Sequence, residues 1–211
     1  MPGHQLLTLV GLVLLGALSS YLLRFTQPLG RDVSASSAAM EMLKDNSSPQ
    51  LVRGNADLTV VVFTDYRCPA CRKAHPAFHS AAAKQPNIRI VYRDWPIFGE
   101  RSERAAKVAL AAARQSIYHS VHDALMKSPA LDDSSIRAAV ERAGGNWQRV
   151  EADLLTHGRA MENQINTAKW DAFTLGLQGT PAYLIGPYLV QGALSEGEFT
   201  RAFRQGRSKE S

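Results

Sequence analysis

The sequence is short of cysteine. Two of its 211 residues are Cys, three positions apart at 68 and 71. A small exported domain stapled by disulfides carries more than one pair, so this fold has to rest on a hydrophobic core, and 45% apolar residues suffice to build one. With no third thiol to mispair with, the pair is set apart for reactivity. Blocks of like charge are also missing. The net charge is +5 and the pI about 9.4, yet Arg101, Arg104, Arg114, Arg137, Arg142 and Arg149 are scattered as on solvated helix faces. That distribution argues against a nucleic-acid surface. Neither an internal repeat nor a low-complexity tract is present, which excludes solenoid and fibrous architectures.

Only one long hydrophobic run occurs, Leu6 to Leu23, without a charged side chain. It borders on the length that spans a bilayer and also fits the core of a signal peptide, with Ala17 and Ser19 as small residues for cleavage. A buried core helix fits poorly, because a polar stretch follows. Residues 1–25 are therefore expected to form a signal peptide or membrane anchor, a hydrophobic helix ahead of the main domain. Arg24 and Arg31 follow the run and oppose the usual inside-positive orientation, so cleaved signal and retained anchor both stay open.

Residues 26–50 are polar and Ser-rich and read as a linker, with a short helix over Ala38–Lys44. The domain proper is expected over 51–208. Leu58–Thr64, apolar and β-branched, predicts a strand buried on both faces. Pro69 suits a first helical position, and Ala70–Lys84 predicts a helix kinked at Pro76. Ile88–Tyr92 alternates as a strand does. From about 100 to 175 the periodicity is helical, with Asp133, Ser134 or Ser135 as a cap and Trp147–His157 and Met161–Leu175 as its last pieces. Ala182–Ile185 and Tyr188–Gln191 form a hairpin around Gly186-Pro187. Ser195 and Glu198 are spaced as a capping box for a last helix carrying Phe199 and Phe203.

The cysteines thus follow a strand and open a helix. There the unpaired N–H groups and the helix dipole stabilise an anion, so a thiolate at Cys68 is favoured and its pKa falls. Cys68 is expected to be the exposed sulfur that exchanges with a partner. Cys71, one turn on and further inside, attacks the mixed disulfide and releases that partner. A zinc site made of Cys68, Cys71, His75 and His79 is disfavoured, because one helical segment cannot easily wrap a tetrahedral metal. An inert disulfide would close too short a loop to stabilise much. Thr180-Pro181, ahead of a strand and after the helical block, is a candidate cis peptide at a site.

Val61 through Cys71, with its Cys-Pro-Ala-Cys motif, resembles the active-site strand and helix of DsbA-like thiol–disulfide oxidoreductases. Gly179-Thr180-Pro181-Ala182-Tyr183 resembles their cis-proline loop, and Arg93 to Gly99 resembles the segment entering their helical insertion. The resemblance covers about residues 40–205. It implies an α/β, thioredoxin-like fold with an inserted helical domain, in the periplasm or cell envelope of a bacterium. It implies Cys68 as nucleophile and Cys71 as resolving thiol, with Thr180 and Pro181 contacting substrate backbone beside Pro69 and Ala70. No metal or organic cofactor is expected. The implied partners are cysteine-containing exported polypeptides and a redox partner protein, in the membrane or outside it. A monomer is expected, since the linker is too short and polar for a dimerising segment.

Two positions depart from the family pattern. Ala70 stands where well-known oxidases of the family have His, and Val62 stands where many thioredoxin-fold proteins have a buried acid. Proton transfer at Cys71 then needs another route, water or Asp65, while Arg67, Arg72 and Lys73 are candidate thiolate-stabilising charges. Oxidase activity leads. Isomerase or reductase activity at the same site, copper(I) binding by the two thiolates, and a peptide-binding or chaperone module without turnover remain alternatives.

Overall fold

Strand β3 (Thr59–Thr64) is the centre of the molecule because its side chains are apolar on both sides. In a computed structural model, which describes residues 9–17, 19 and 28–208, Val60 and Val62 point into one core and Val61 and Phe63 into another. Alternation across the pleat thus feeds two layers from one strand. The six-stranded sheet has the order β1-β6-β5-β3-β4-β2. Its other strands are β1 (Arg31–Asp32), β2 (Gln50–Arg53), β4 (Ile88–Asp94), β5 (Ala182–Ile185) and β6 (Tyr188–Gln191). β3 and β4 run parallel, with Val61 opposite Val91, and β5 lies antiparallel to β3 on its other side, with Val62 opposite Tyr183.

The helices are α1 (Ser37–Lys44), α2 (Pro69–Ala83), α3 (Glu100–Ala113), α4 (Tyr118–Lys127), α5 (Asp133–Arg142), α6 (Trp147–Thr174) and α7 (Glu196–Arg207). α2 is the β3–β4 crossover. It buries Cys71, Ala74, His75, Phe78, Ala81 and Ala82, a stripe at helical spacing, and runs on through Pro76, which lies on its exposed face. Under it Phe78 stacks on Tyr183 at 5.5 Å and meets the edge of Phe199 at 5.2 Å. Removing such a ring costs about 3–5 kcal/mol. α3 to α6 form the helical insertion between β4 and β5, so the chain has a thioredoxin-like fold interrupted by helices.

Several sequence expectations shift. Trp147–Thr174 is one 28-residue helix rather than two pieces, passing through Gly158; a helical glycine costs only about 1 kcal/mol. The cap of α5 is Asp132, whose carboxyl accepts from Ser135 N at 2.8 Å, one residue before the expected candidates. The capping box of α7 forms between Ser195 and Glu198.

The largest correction concerns residues 26–50, read as a linker. β1 pairs with β6, α1 buries Ala39 and Met42 against the second face of the sheet, and β2 starts at Gln50. The connection after α1 is fastened by two arginines of β4. Arg89 donates to the carbonyls of Leu43 and Asp45 and to Asn46 Oδ1. Arg93, buried, pairs with Asp45 at 2.7 Å and with Asp171 of α6 at 2.8 Å. These contacts span more than forty residues of sequence, and a polar composition does not reveal them. The hydrophobic run at 6–23 falls partly outside the described residues. Residues 9–17 are helical, and among the described residues no helix is long and apolar enough to cross a membrane.

Candidate active site

Cys68 is the N-cap of α2, with extended backbone at φ −66° and ψ 116°. Its sulfur accepts from the backbone N–H of Cys71 at 3.3 Å, in the place usually taken by a Ser or Asp oxygen. Pro69 occupies the first helical turn, where its missing N–H leaves nothing unpaired. The site is completed from far along the chain. The Cys68 thiol donates to the carbonyl of Thr180 at 3.2 Å, and the Thr180–Pro181 peptide is cis. The Pro181 carbonyl accepts from Gly192 N at 2.8 Å, which moors this loop to the end of β6.

Both thiols are free, and both are buried, at 2% exposure for Cys68 and 3% for Cys71. The expectation of an exposed Cys68 is therefore corrected: the Thr180 loop lies against its sulfur. Pro69 is exposed and Ala70 half-buried, so these two form the open rim of the site while Pro181 is buried behind it.

The two sulfurs are driven apart electrostatically. Cys68 is lowered to about 6, first by the hydrogen bond from the Cys71 thiol, then by Thr180 and the backbone N–H groups of Cys71 and Ala70, against the opposing effect of burial. Cys71 is raised well above the ordinary thiol value, first by burial and then by that same bond to Cys68. A proton in the reduced pair therefore resides on Cys71, and Cys68 carries the charge.

Asp65 lies fully within the structure rather than at the sulfur. Its Oδ1 accepts from Arg67 N at 2.7 Å and Ser102 Oγ at 2.7 Å, and its Oδ2 from Ile97 N at 2.6 Å and Phe98 N at 3.0 Å. Four donors occupy the carboxyl group that sequence reasoning considered as a proton route for Cys71. Asp65 instead pins the turn before Cys68 to the 97–98 loop and the start of α3. Arg67 donates to Phe98 O at 2.8 Å, and Arg72 reaches the carbonyls of Tyr66, Leu125 and Ser128. Neither arginine is engaged with a sulfur, so both act as staples between loops.

Ile97 and Phe98 were not anticipated. They are 41% and 43% exposed, next to a turn that Arg67 and Asp65 hold against Cys68, and give the rim an apolar flank suited to polypeptide side chains. The signal available was an apolar pair in a loop ended by Gly99. The larger concavities open elsewhere, one of about 340 Å³ beside Pro49, Leu110 and Met161.

The family model of the DSBA-like thioredoxin domain matches residues 59–204. Among solved structures, a thioredoxin-like oxidoreductase from Silicibacter pomeroyi DSS-3 is 32% identical with a TM-score of 0.74, over 79% of this chain and 95% of that one. A periplasmic thioredoxin-like protein from Salmonella enterica serovar Typhimurium is 27% identical with a TM-score of 0.68, over 82% of this chain and 98% of that one. The Na(+)/H(+) antiporter NhaA 3 of Salinispora tropica is 29% identical over 155 residues, which is 66% of this chain and 23% of the antiporter. The chain thus spans about a quarter of the length of the curated relatives it matches.

Proposed function

Since the chain belongs to the DsbA-like thioredoxin-domain family of thiol–disulfide oxidoreductases, we propose that Cys68 and Cys71 exchange disulfides with exported, cysteine-containing polypeptides in the oxidising direction. The observation that carries this reading is the placement of the Cys68 sulfur at the start of α2, receiving the N–H of Cys71 and facing Thr180.

A substrate thiolate attacks Cys68 of the Cys68–Cys71 disulfide. The S–S bond breaks, Cys71 leaves with the electron pair and takes up a proton, and a mixed disulfide joins substrate to Cys68. A second substrate thiolate attacks the substrate sulfur of that bond and expels Cys68 as a thiolate. The substrate loses two electrons and gains a disulfide; the protein holds the two electrons as a thiolate and a thiol. A redox partner then removes them and restores the disulfide.

The lowered pKa of Cys68 favours the last expulsion and the reduced state as a whole. A thiol titrating at about 6 rather than 9 is stabilised at pH 7 by about 1.4 kcal/mol, or about 30 mV in a two-electron couple. Pro69, Ala70, Thr180 and Pro181 would receive the substrate backbone, with Ile97 and Phe98 against its apolar side chains. Residues 6–23 would export or anchor the chain and so put the site in the periplasm or envelope, a reading supported by the likeness to the periplasmic Salmonella protein. We take the working form to be a monomer.

Equilibration in glutathione buffers tests the direction. An oxidase requires a reduction potential well above the roughly −270 mV of thioredoxin; a value at or below it would make the chain a reductase.

A further inference from the structure

Three histidines converge where α2 packs on α4, one to three turns along from the cysteines. His75 and His79 are spaced i, i+4 and share one face of α2, and α4 brings His122 against them. One nitrogen of each ring lies within 4.8 Å of one from each of the others. Ring centroids are 4.2 Å apart for His75 and His79 and 5.4 Å for His75 and His122.

We propose that His75, His79 and His122 bind a single divalent cation of the zinc class. Metal at the start of α2 was disfavoured because its four candidate ligands shared one helical segment. The fold removes that objection, since the third imidazole comes from a different helix. His79 Nε2 is buried without a hydrogen-bond partner, which is costly for a polar atom unless something answers it. Asp123 Oδ1 stands 2.9 Å from His75 Nε2, and the Tyr66 hydroxyl stands 2.9 Å from His122 Nδ1. A carboxylate and a phenol beside two of three imidazoles are the kind of outer partners that orient metal-bound rings.

The chemistry of the donors narrows the ion. Imidazoles suit zinc, copper and nickel, but copper(II) next to a dithiol would take electrons from it, whereas zinc has no redox chemistry. Zn–N bonds of about 2.0–2.1 Å require the rings to draw in slightly, by side-chain rotation. The ion would tie α2, which carries the cysteines, to the helical insertion.

The test uses the full chain in detergent with Cys68→Ser and Cys71→Ser, so that thiolates cannot hold the metal, stripped with chelator and titrated calorimetrically with zinc chloride. The expected result is one zinc per chain at micromolar or tighter affinity, weakened in His79→Gln by at least the roughly 10–100-fold that losing an outer partner of a metal-bound ring costs, and unchanged in His157→Gln. In long-range ¹H–¹⁵N spectra of the same protein, the rings of residues 75, 79 and 122 are expected to shift on zinc addition. Absence of uptake at micromolar zinc, affinity unchanged by His79→Gln, or shifts confined to other histidines would each overturn the proposal.

Discussion

The sulfur of Cys68 lies 3.2 Å from the carbonyl oxygen of Thr180, 112 positions along the chain. The thiol can donate to that carbonyl, but a thiolate cannot. The Thr180 hydroxyl, buried and otherwise unpartnered, is placed to donate to the sulfur once the proton has gone, and it lowers the pKa of Cys68. One residue thereby serves both protonation states.

Thr180→Val keeps the carbonyl and removes the hydroxyl. A hydrogen bond to a charged group contributes about 1.5–3 kcal/mol, so the Cys68 pKa should rise by about one to two units and the reduction potential should fall. Iodoacetamide alkylation against pH reads the first and glutathione equilibration the second. No change in either would show that the Thr180 hydroxyl does not act on the sulfur.

Replacing the resolving thiol separates the two roles. Cys71→Ala should accumulate a mixed disulfide through Cys68, visible by mass spectrometry without reductant, while Cys68→Ala should form none. Cys71→Ala should also raise the Cys68 pKa, because the Cys71 thiol is the foremost contributor to its lowering. A trapped partner on Cys71 instead would reverse the assignment.

Asp65→Ala leaves two part-buried loop N–H groups and the buried Ser102 hydroxyl without their acceptor. Loss of such a network should cost about 3–5 kcal/mol, measured as a lower urea midpoint. If the variant unfolds at the wild-type midpoint, the 97–98 loop is held by something else.

Asp94 makes stability depend on pH. Burial pushes its carboxyl up to about 7, although Tyr118 donates to it at 2.9 Å. The unfolded chain gives up this proton near pH 4 and the folded chain only near 7. The stability it contributes is therefore complete below about pH 4 and lost as pH rises to about 7, a difference of about 4 kcal/mol at most. Relative to Asp94→Asn, the wild type should lose stability over that interval in denaturant titrations. A constant gap between the two would contradict the shift.

The parts legible in the sequence are those specified by neighbours in sequence. The double-faced apolar run of β3, the Cys-Pro start of α2 and the Ser195–Glu198 box each declare themselves within a few residues. What escaped depends on distant partners. Residues 31–50 are ordered by Arg89 and Arg93 of β4 and by the pairing of β1 with β6, and their polar composition conceals it. His122 meets His75 and His79 only because α4 packs on α2. The depth of Cys68 depends on a loop from the far end of the chain. Even the charges near the cysteines misled, since Arg67 and Arg72 are spent on carbonyl oxygens.

The central claim is that the start of α2 holds a thiolate at position 68 while position 71 keeps its proton. The rate of Cys68 alkylation in the reduced protein, followed from pH 4 to 10 with Cys71 identified separately by peptide mapping, measures it directly. The account predicts a single titration near pH 6 at Cys68 and no reaction at Cys71 until far higher pH. A Cys68 titration near the ordinary thiol value of about 8.5 would contradict it.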